Sequence, residues 1–428
     1  MGRGKRVGEI DFQICPAQPR KMKTILALTL VGAIVAGGLA AEAADWPNYR
    51  GPDHNGISTE GGWVAKWSND GPKVLWKASL GFGYAPISVA NGHAYASGCK
   101  DATATLFCFD AASGNKVWQF SYPNQLYSSY NGPKGLGGTS GSPTIEGDRV
   151  YFLSGDGCLY ALQSHTGAVV WTNDLYASLG VTRPTWGFAS SVLVQGDLLV
   201  VDIGGAGTAV EKASGKLAWT SDKGAPGYST PVPWTFQGTP AVAILSSETA
   251  FGVESKTGKQ LWSFPFKTPN LINIADVVVS GNDFFISSAL HPAVRVHFDG
   301  KAVTQVWENS SFANHIATSV LVDGYLYGAA GAVNSAATLQ CVDFATGTQK
   351  WNFTGIGVGG LIAADHKLIV ASDMGELVVG EASPGGFVPI SRAQIFPATC
   401  WTPPTLANGR IYCRNNKGDM VCLDVAGH

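Results

Sequence analysis

Short apolar runs separated by glycine, asparagine and aspartate dominate the chain from residue 74 onward. Residues 150–153 and 198–201 set the pattern: β-rich, four residues long and bounded by Gly and Asp, which is how buried strands look. The turns after such runs recur as Asn91-Gly92, Gly147-Asp148, Gly196-Asp197, Gly281-Asn282, Asp323-Gly324 and Asn408-Gly409. Strands and tight turns are predicted throughout, and helix nowhere.

The pattern repeats. A Ser/Thr-Gly pair is followed, four residues after its glycine, by tryptophan at Gly114/Trp118, Gly167/Trp171, Gly215/Trp219, Gly258/Trp262 and Gly347/Trp351. Trp76 and Trp307 share the phase without the full motif, and the seven tryptophans stand 42, 53, 48, 43, 45 and 44 residues apart. That interval is the length of a propeller blade. Each unit then reads as three strands, a Gly turn that brings the chain back antiparallel, and a fourth strand carrying the indole. Three-strand units fall near residues 85–110, 141–163, 187–211, 228–254, 274–298, 316–343, 359–381 and 402–425, with outer strands at the seven tryptophans and at 389–396. The expected fold is all-β: an eight-bladed propeller of four-stranded antiparallel blades over residues 74–428. The two series are offset by one, so the N-terminal outer strand around Trp76 should join the last blade and close the ring. One sheet cannot cover both its faces, so each of the seven indoles is expected to plug the gap between neighbouring blades, contributing roughly 1.5–3 kcal/mol of burial.

Long connectors at 132–139, 175–186 and 223–229 should lie on the face opposite the short turns, and loops on a rigid scaffold are where function tends to sit. Counting back from the inner turns puts Tyr84, Thr139, Phe188, Thr230, Asn273, Ile316, Val358 and Trp401 at the axial mouth, with Trp186, Trp234 and His315 nearby. Tyr84, Trp186, Trp234, His315 and Trp401 are the candidate binding residues. An aromatic, uncharged mouth suits a flat ligand, a sugar or a protein segment.

Composition adds compartment and exclusions. Residues 1–21 read as a spurious extension, and 22–43 as a secretory signal ending in Ala41-Glu42-Ala43; 44–73 form an irregular leader packed over one end of the ring. Residues 1–43 hold six Lys/Arg and three Asp/Glu, so cleavage moves the formal charge from −2 to −5. A mildly acidic chain with no basic stripe argues against nucleic acid. The mature protein is expected to be periplasmic or secreted, monomeric and not membrane-spanning. Neither a metal-type cysteine spacing nor a serine-hydrolase, zincin or phosphate-loop motif occurs, so no catalytic residue, metal or cofactor is expected. Cys99/Cys108 and Cys413/Cys422, each nine apart across equivalent hairpins, could pair in an oxidising compartment.

The best repeat copy, Ala-x-x-x-Thr-Gly-x-x-x-Trp at 161–171, resembles the pyrroloquinoline-quinone-like (PQQ-like) β-propeller family. The leader Trp46-Pro47-Asn48-Tyr49-Arg50-Gly51-Pro52 is similar to that of secreted bacterial members, and 227–232 to their fourth-blade inner strand. The resemblance implies either a binding or scaffolding propeller, similar to the propeller subunit of the outer-membrane protein assembly machinery and engaging an envelope protein or a small ligand, or a quinone enzyme. In the enzymes PQQ is implied to lie between a Trp and a ring of adjacent disulfide-bonded cysteines, with calcium and an Asp base; this chain has no adjacent cysteine pair. PQQ-dependent oxidation of alcohols or sugars is thus one alternative function, and carbohydrate binding or processing through Trp186, Trp234 and Trp401 another.

Overall fold

The first strands of successive blades approach one another around an axis. They are Ser88–Ala90, Thr144–Glu146, Leu193–Gln195, Val232–Phe236, Val278–Ser280, Val320–Val322, Gly360–Ala364 and Thr405–Ala407. Each begins an antiparallel four-stranded sheet, and the eight sheets form a β-propeller. The computed structural model describes residues 44–68, 70–124, 138–222 and 224–427; the expected signal and its extension, and parts of the connectors at 132–139 and 223–229, lie outside them. Lys73–Ser79 pairs antiparallel with Asp419–Asp424, Trp76 opposite Cys422, so the eighth blade is built from both ends of the ring. A short helix, Leu175–Leu179, and a 3-10 turn, Pro269–Leu271, depart from the all-strand expectation: Asp174 caps the start of the helix by accepting the Ala177 N–H (2.9 Å), and Gly180 ends it at φ 62°. Among the described residues no helix is long and apolar enough to cross a membrane.

The repeat motif works between blades. Trp76 donates its indole N–H to the carbonyl of Ala111 in the next blade, and Trp118, Trp171, Trp219 and Trp307 do the same to Ser164, Lys212, Ser255 and Phe344, at 2.7–3.1 Å. Each ring lies on the glycine of the neighbour's Ser/Thr-Gly turn: a Cβ on Gly114, Gly167, Gly215, Gly258 or Gly347 would come within 2.6 Å of it. Those glycines also sit at φ 70–74°. Opposite each indole, in its own third strand, stands a small residue: Cys108, Ala161, Ala209, Gly252, Cys341 or Cys422, with Arg295 the exception in blade 5.

Three interfaces differ for local reasons. Blade 5 has an Asp299-Gly300 hairpin in place of Ser/Thr-Gly, and Trp262 instead packs on Phe284 at 4.5 Å. Trp351 of blade 6 departs from the expectation that every repeat indole seals its interface. Blade 7 offers it no Ser/Thr-Gly turn, so no glycine lies beneath its ring. Its N–H still reaches a carbonyl of the next blade, that of Ser383 (2.8 Å), but the ring meets Phe387 at 5.9 Å and stays only partly buried. Trp171 is also only partly buried, although its glycine contact is intact. Blade 7 carries Ser391 opposite Val379, where other blades carry tryptophan. There the leader fills in: Trp67 donates its backbone N–H to the Ser391 hydroxyl (3.1 Å), and Trp63 shares a buried cluster with Ile369 and Leu377 of blade 7 and Leu406 and Tyr412 of blade 8.

The leader does more than cover one end. Asp45 joins the Asn91 and Asn408 turns. Trp46 then bridges Val89, Pro47 accepts from Ile145, and Ile57–Ser58 adds a parallel fifth strand inside blade 7. It runs among the inner strands and returns to the turn face, where Glu60 accepts from Gly409. A small cavity of about 10 Å³ is lined by Trp46, Tyr49, Arg50 and the strands around them.

The proposed cysteine pairs do not form. All seven described cysteines are free thiols. Hairpin register puts Cys99 opposite Ala104 and Cys108 opposite Tyr95, with Cys413 opposite Val421 and Cys422 opposite Tyr412. A spacing of nine therefore does not bring two sulfurs together.

Candidate functional site

The chain descends into each inner strand from the long-connector face, and the residues just before those strands ring a cup of about 410 Å³. Its wall comes from blades all round: Tyr84 before blade 1, Trp186 before blade 3, Tyr228 before blade 4, His315 before blade 6 and Trp401 before blade 8. Ile272, Ile274, Ile316 and Val333 complete its apolar sides, and the leader's Tyr49 closes its far end. Blocked below by the leader, the cup is blind.

Backbone anchors hold the aromatic groups. The Tyr84 N–H donates to Thr139 (2.7 Å), its carbonyl accepts from the Thr402 hydroxyl (2.9 Å), and its ring stacks on Trp401 with centroids 5.5 Å and planes 16° apart. Fully buried Arg414 braces this pair by donating to the carbonyls of Ala85, Gly81 and Ser97 across the blade 8–blade 1 seam. Burial lowers its guanidinium to about 10 and raises the Tyr84 phenol to about 12. Across the cup, Trp186 meets Tyr228 edge-on at 5.8 Å. His315 accepts the Val333 N–H at Nδ1 (2.9 Å). The neutral ring therefore carries its proton on Nε2, and burial lowers its pKa further from the charged form.

Four of the five candidate residues, Tyr84, Trp186, His315 and Trp401, thus meet at the cup. Trp234 does not. It lies in the blade 4 inner strand opposite Ala241 and points between blades onto Phe284, edge-to-face at 5.0 Å. Of the wider ring, Thr230 and Ile316 line the cup. Asn273 is buried, donating to the carbonyls of Ser246, Ser247 and Phe266, and Phe188 joins the core between blades 2 and 3.

A polar layer lies behind this wall. Asp276 accepts from the Thr230 N–H (2.7 Å), and the Thr230 hydroxyl accepts from Ser191 (3.0 Å). Asp202 accepts from the Gly227 N–H and the Ser246 hydroxyl, both 3.0 Å. Burial pushes Asp202 to about 8; it also pushes Asp276 to about 7, against the pull of the Arg50 charge. Arg50 is itself buried among the carbonyls of Asn55, Thr318 and Ser319. Neither carboxylate lines the cup. Asp202 and Asp276 escaped the sequence reading, since nothing in the repeat marks them; Tyr49 and Tyr228 lay within the family-like stretches 46–52 and 227–232 but were not among the candidate binding residues.

Chemically the cup offers aromatic, aliphatic and hydroxyl groups and the imidazole of His315. Its described lining holds no Lys, Arg, Asp, Glu or Cys, and among the described residues no group of three His, Cys, Asp or Glu could hold a metal ion. PQQ with calcium does not fit this donor set: an anionic quinone would meet no cationic side chain, and calcium no carboxylate.

The sequence profile of the family described as outer membrane protein assembly factor BamB matches residues 60–184 and 108–353. BamB of Yersinia pestis is 23% identical over 354 residues, 81% of this chain and 77% of that protein. A polyvinylalcohol dehydrogenase of a Pseudomonas sp. is 28% identical over 141 residues, 32% of this chain; the match spans only 20% of that enzyme. The crystal structure of the quinohemoprotein alcohol dehydrogenase of Comamonas testosteroni superposes with TM-score 0.65 at 14% identity, over 90% of this chain and 81% of its own. That likeness is one of fold.

Proposed function

The chain belongs to the outer membrane protein assembly factor BamB family of PQQ-like propellers, and from that premise we propose that it is an exported binding module of the cell envelope. Its working face is the long-connector face, and its site is the axial cup formed by Tyr84, Trp186, Tyr228, His315 and Trp401. The observation that carries the reading is the blind, aromatic, uncharged cup, which offers a large desolvating surface and no nucleophile–base or metal-ligand set. A partner in an envelope assembly, presenting a segment or a small molecule to the cup, agrees with the family.

The oxidoreductase alternative finds less support, because the lining does not suit PQQ and calcium. Sugar binding keeps Trp186 and Trp401 as platforms but loses Trp234, and the described lining lacks the charged and amide side chains that grip hydroxyls.

The test is to incubate the purified protein with an envelope extract and weigh it by native mass spectrometry. A bound species is expected on the wild-type protein and absent from Trp186→Ala and Trp401→Ala. An unadorned mass for the wild type, or an adduct equally present on both variants, contradicts the proposal.

A further inference from the structure

We infer that the occupant of the axial cup is a neutral, flat, multi-ring small molecule carrying one hydrogen-bond acceptor, such as a carbonyl oxygen, directed at His315 Nε2. The inference rests on the proposed binding role of the cup and names its ligand class.

Shape comes first. A cavity of about 410 Å³ holds on the order of twenty non-hydrogen atoms at protein packing density. One aromatic side chain from a protein partner would leave much of it empty, whereas a three-ring molecule fills it. The stacked Tyr84/Trp401 pair presents a flat wall on one side, and Trp186 with Tyr228 an edge-to-face pair on the other; a flat aromatic wall favours a planar guest laid against it.

Charge comes second. An anion entering the cup would lose its water and meet no Lys or Arg in the described lining, a transfer that costs several kcal/mol when uncompensated. A cation would gain from aromatic faces. Yet one face of Tyr84 is already covered by Trp401, no carboxylate lines the cavity, and of the charges behind its wall Arg414 faces Tyr84 while Asp276 and Arg50 lie together behind Tyr49 and offset each other. Both signs are therefore disfavoured.

The polar determinant comes third. The Val333 N–H fixes the His315 tautomer by occupying Nδ1, which leaves Nε2–H as a donor of set polarity in a lining otherwise dominated by aromatic and aliphatic groups. Its natural complement is an uncharged acceptor.

Five probes test this by quenching of tryptophan fluorescence: flavone, flavone-8-carboxylate, the methyl ester of that acid, phenyltrimethylammonium, and N-phenyl-1-naphthylamine, which is neutral and multi-ring but lacks the carbonyl. Flavone and the ester should bind one per chain, and the acid roughly tenfold or more weakly. Trp401→Ala, and independently Ile316→Trp, which fills the cup, should each weaken flavone by roughly tenfold. His315→Phe should weaken flavone about fivefold and leave N-phenyl-1-naphthylamine unchanged. Equal binding of acid and ester, tighter binding of phenyltrimethylammonium than of flavone, or flavone binding indifferent to both cup variants would overturn the inference. If no flavone binds while the species captured from extract still depends on Trp401, the ligand class is wrong and the binding role stands; if neither binds, both fall.

Discussion

Trp76 lies face-on to Gly114 of the neighbouring blade, so close that a Cβ on the glycine would come 2.5 Å from the indole, and its N–H reaches the carbonyl of Ala111 (3.0 Å). The contact sits where the ring closes, and the same geometry recurs at Gly167, Gly215, Gly258 and Gly347. The glycine of the repeat is thus required twice, once for its positive φ and once for the ring that lies on it.

Those two requirements can be separated. Gly92 has φ 75° with nothing near its missing side chain, whereas Gly114 has φ 73° beneath Trp76. Gly92→Ala should cost about 1 kcal/mol for the backbone alone. Gly114→Ala should cost roughly 3 kcal/mol or more, because steric overlap adds to the same backbone strain. Equilibrium urea unfolding of the two variants makes the comparison, and equal losses would count against the double role.

How much of this was legible follows from what a period can encode. The Gly–Trp spacing carries the blade count, the offset between outer and inner strands, and the pairing of Trp76 with the last blade, because each is a property of the repeat. It also brought Tyr84, Ile316 and Trp401 to one mouth, since they share a position ahead of their inner strands, with His315 next to Ile316. Trp351 shows where the period stops informing: its own blade carries the full motif, but its packing depends on the next blade, where Phe387 stands in for the glycine. Trp234 was misplaced because it lies within a strand, where a shift of one residue exchanges cavity for interface. The threading of residues 45–60 through the channel, Tyr49 at the cup's far end and the buried Asp202 and Asp276 are non-repeating features; their partners, such as Thr318 for Arg50, are far away in sequence.

The leader's tryptophans should stabilise the ring. Trp63 is buried in the cluster shared by blades 7 and 8, the interface whose outer strand has Ser391 in place of tryptophan. Trp63→Ala should cost about 3–5 kcal/mol, measured by urea unfolding. A loss below about 1 kcal/mol, the scale of an ordinary surface change, would show that blades 7 and 8 hold together without it.

Asp202 predicts a pH dependence of defined sign. Burial raises its carboxyl to about 8, while the unfolded chain titrates near 4. Its contribution to stability is therefore fully present below about pH 4 and is lost as pH rises through about 8. Asp276, raised to about 7, acts in the same direction. Melting temperature should fall more steeply between pH 5 and pH 9 for the wild type than for Asp202→Asn, with the variant gaining on the wild type by a few degrees across that range. Parallel curves would contradict the assignment.

Arg414 is the polar counterpart of the Trp76 contact at the seam. Its fully buried guanidinium serves carbonyls of Gly81, Ala85 and Ser97. Arg414→Met should leave those oxygens without donors, cost roughly 2–4 kcal/mol, and loosen the Tyr84/Trp401 stack. The expected readouts are a lower melting temperature and a changed near-ultraviolet circular dichroism. A variant with both unchanged would remove Arg414 from the closure of the ring.

The most direct test of the binding site is hydroxyl-radical footprinting of the protein in buffer and in envelope extract, read residue by residue by mass spectrometry. The account predicts that Trp186 and Trp401 lose reactivity in extract, while Met374, 72% exposed in a blade 7 turn away from the cup lining, stays as reactive as before. Unchanged reactivity at both tryptophans, or protection confined to Met374 and the outer rim, would contradict a site at the axial cup.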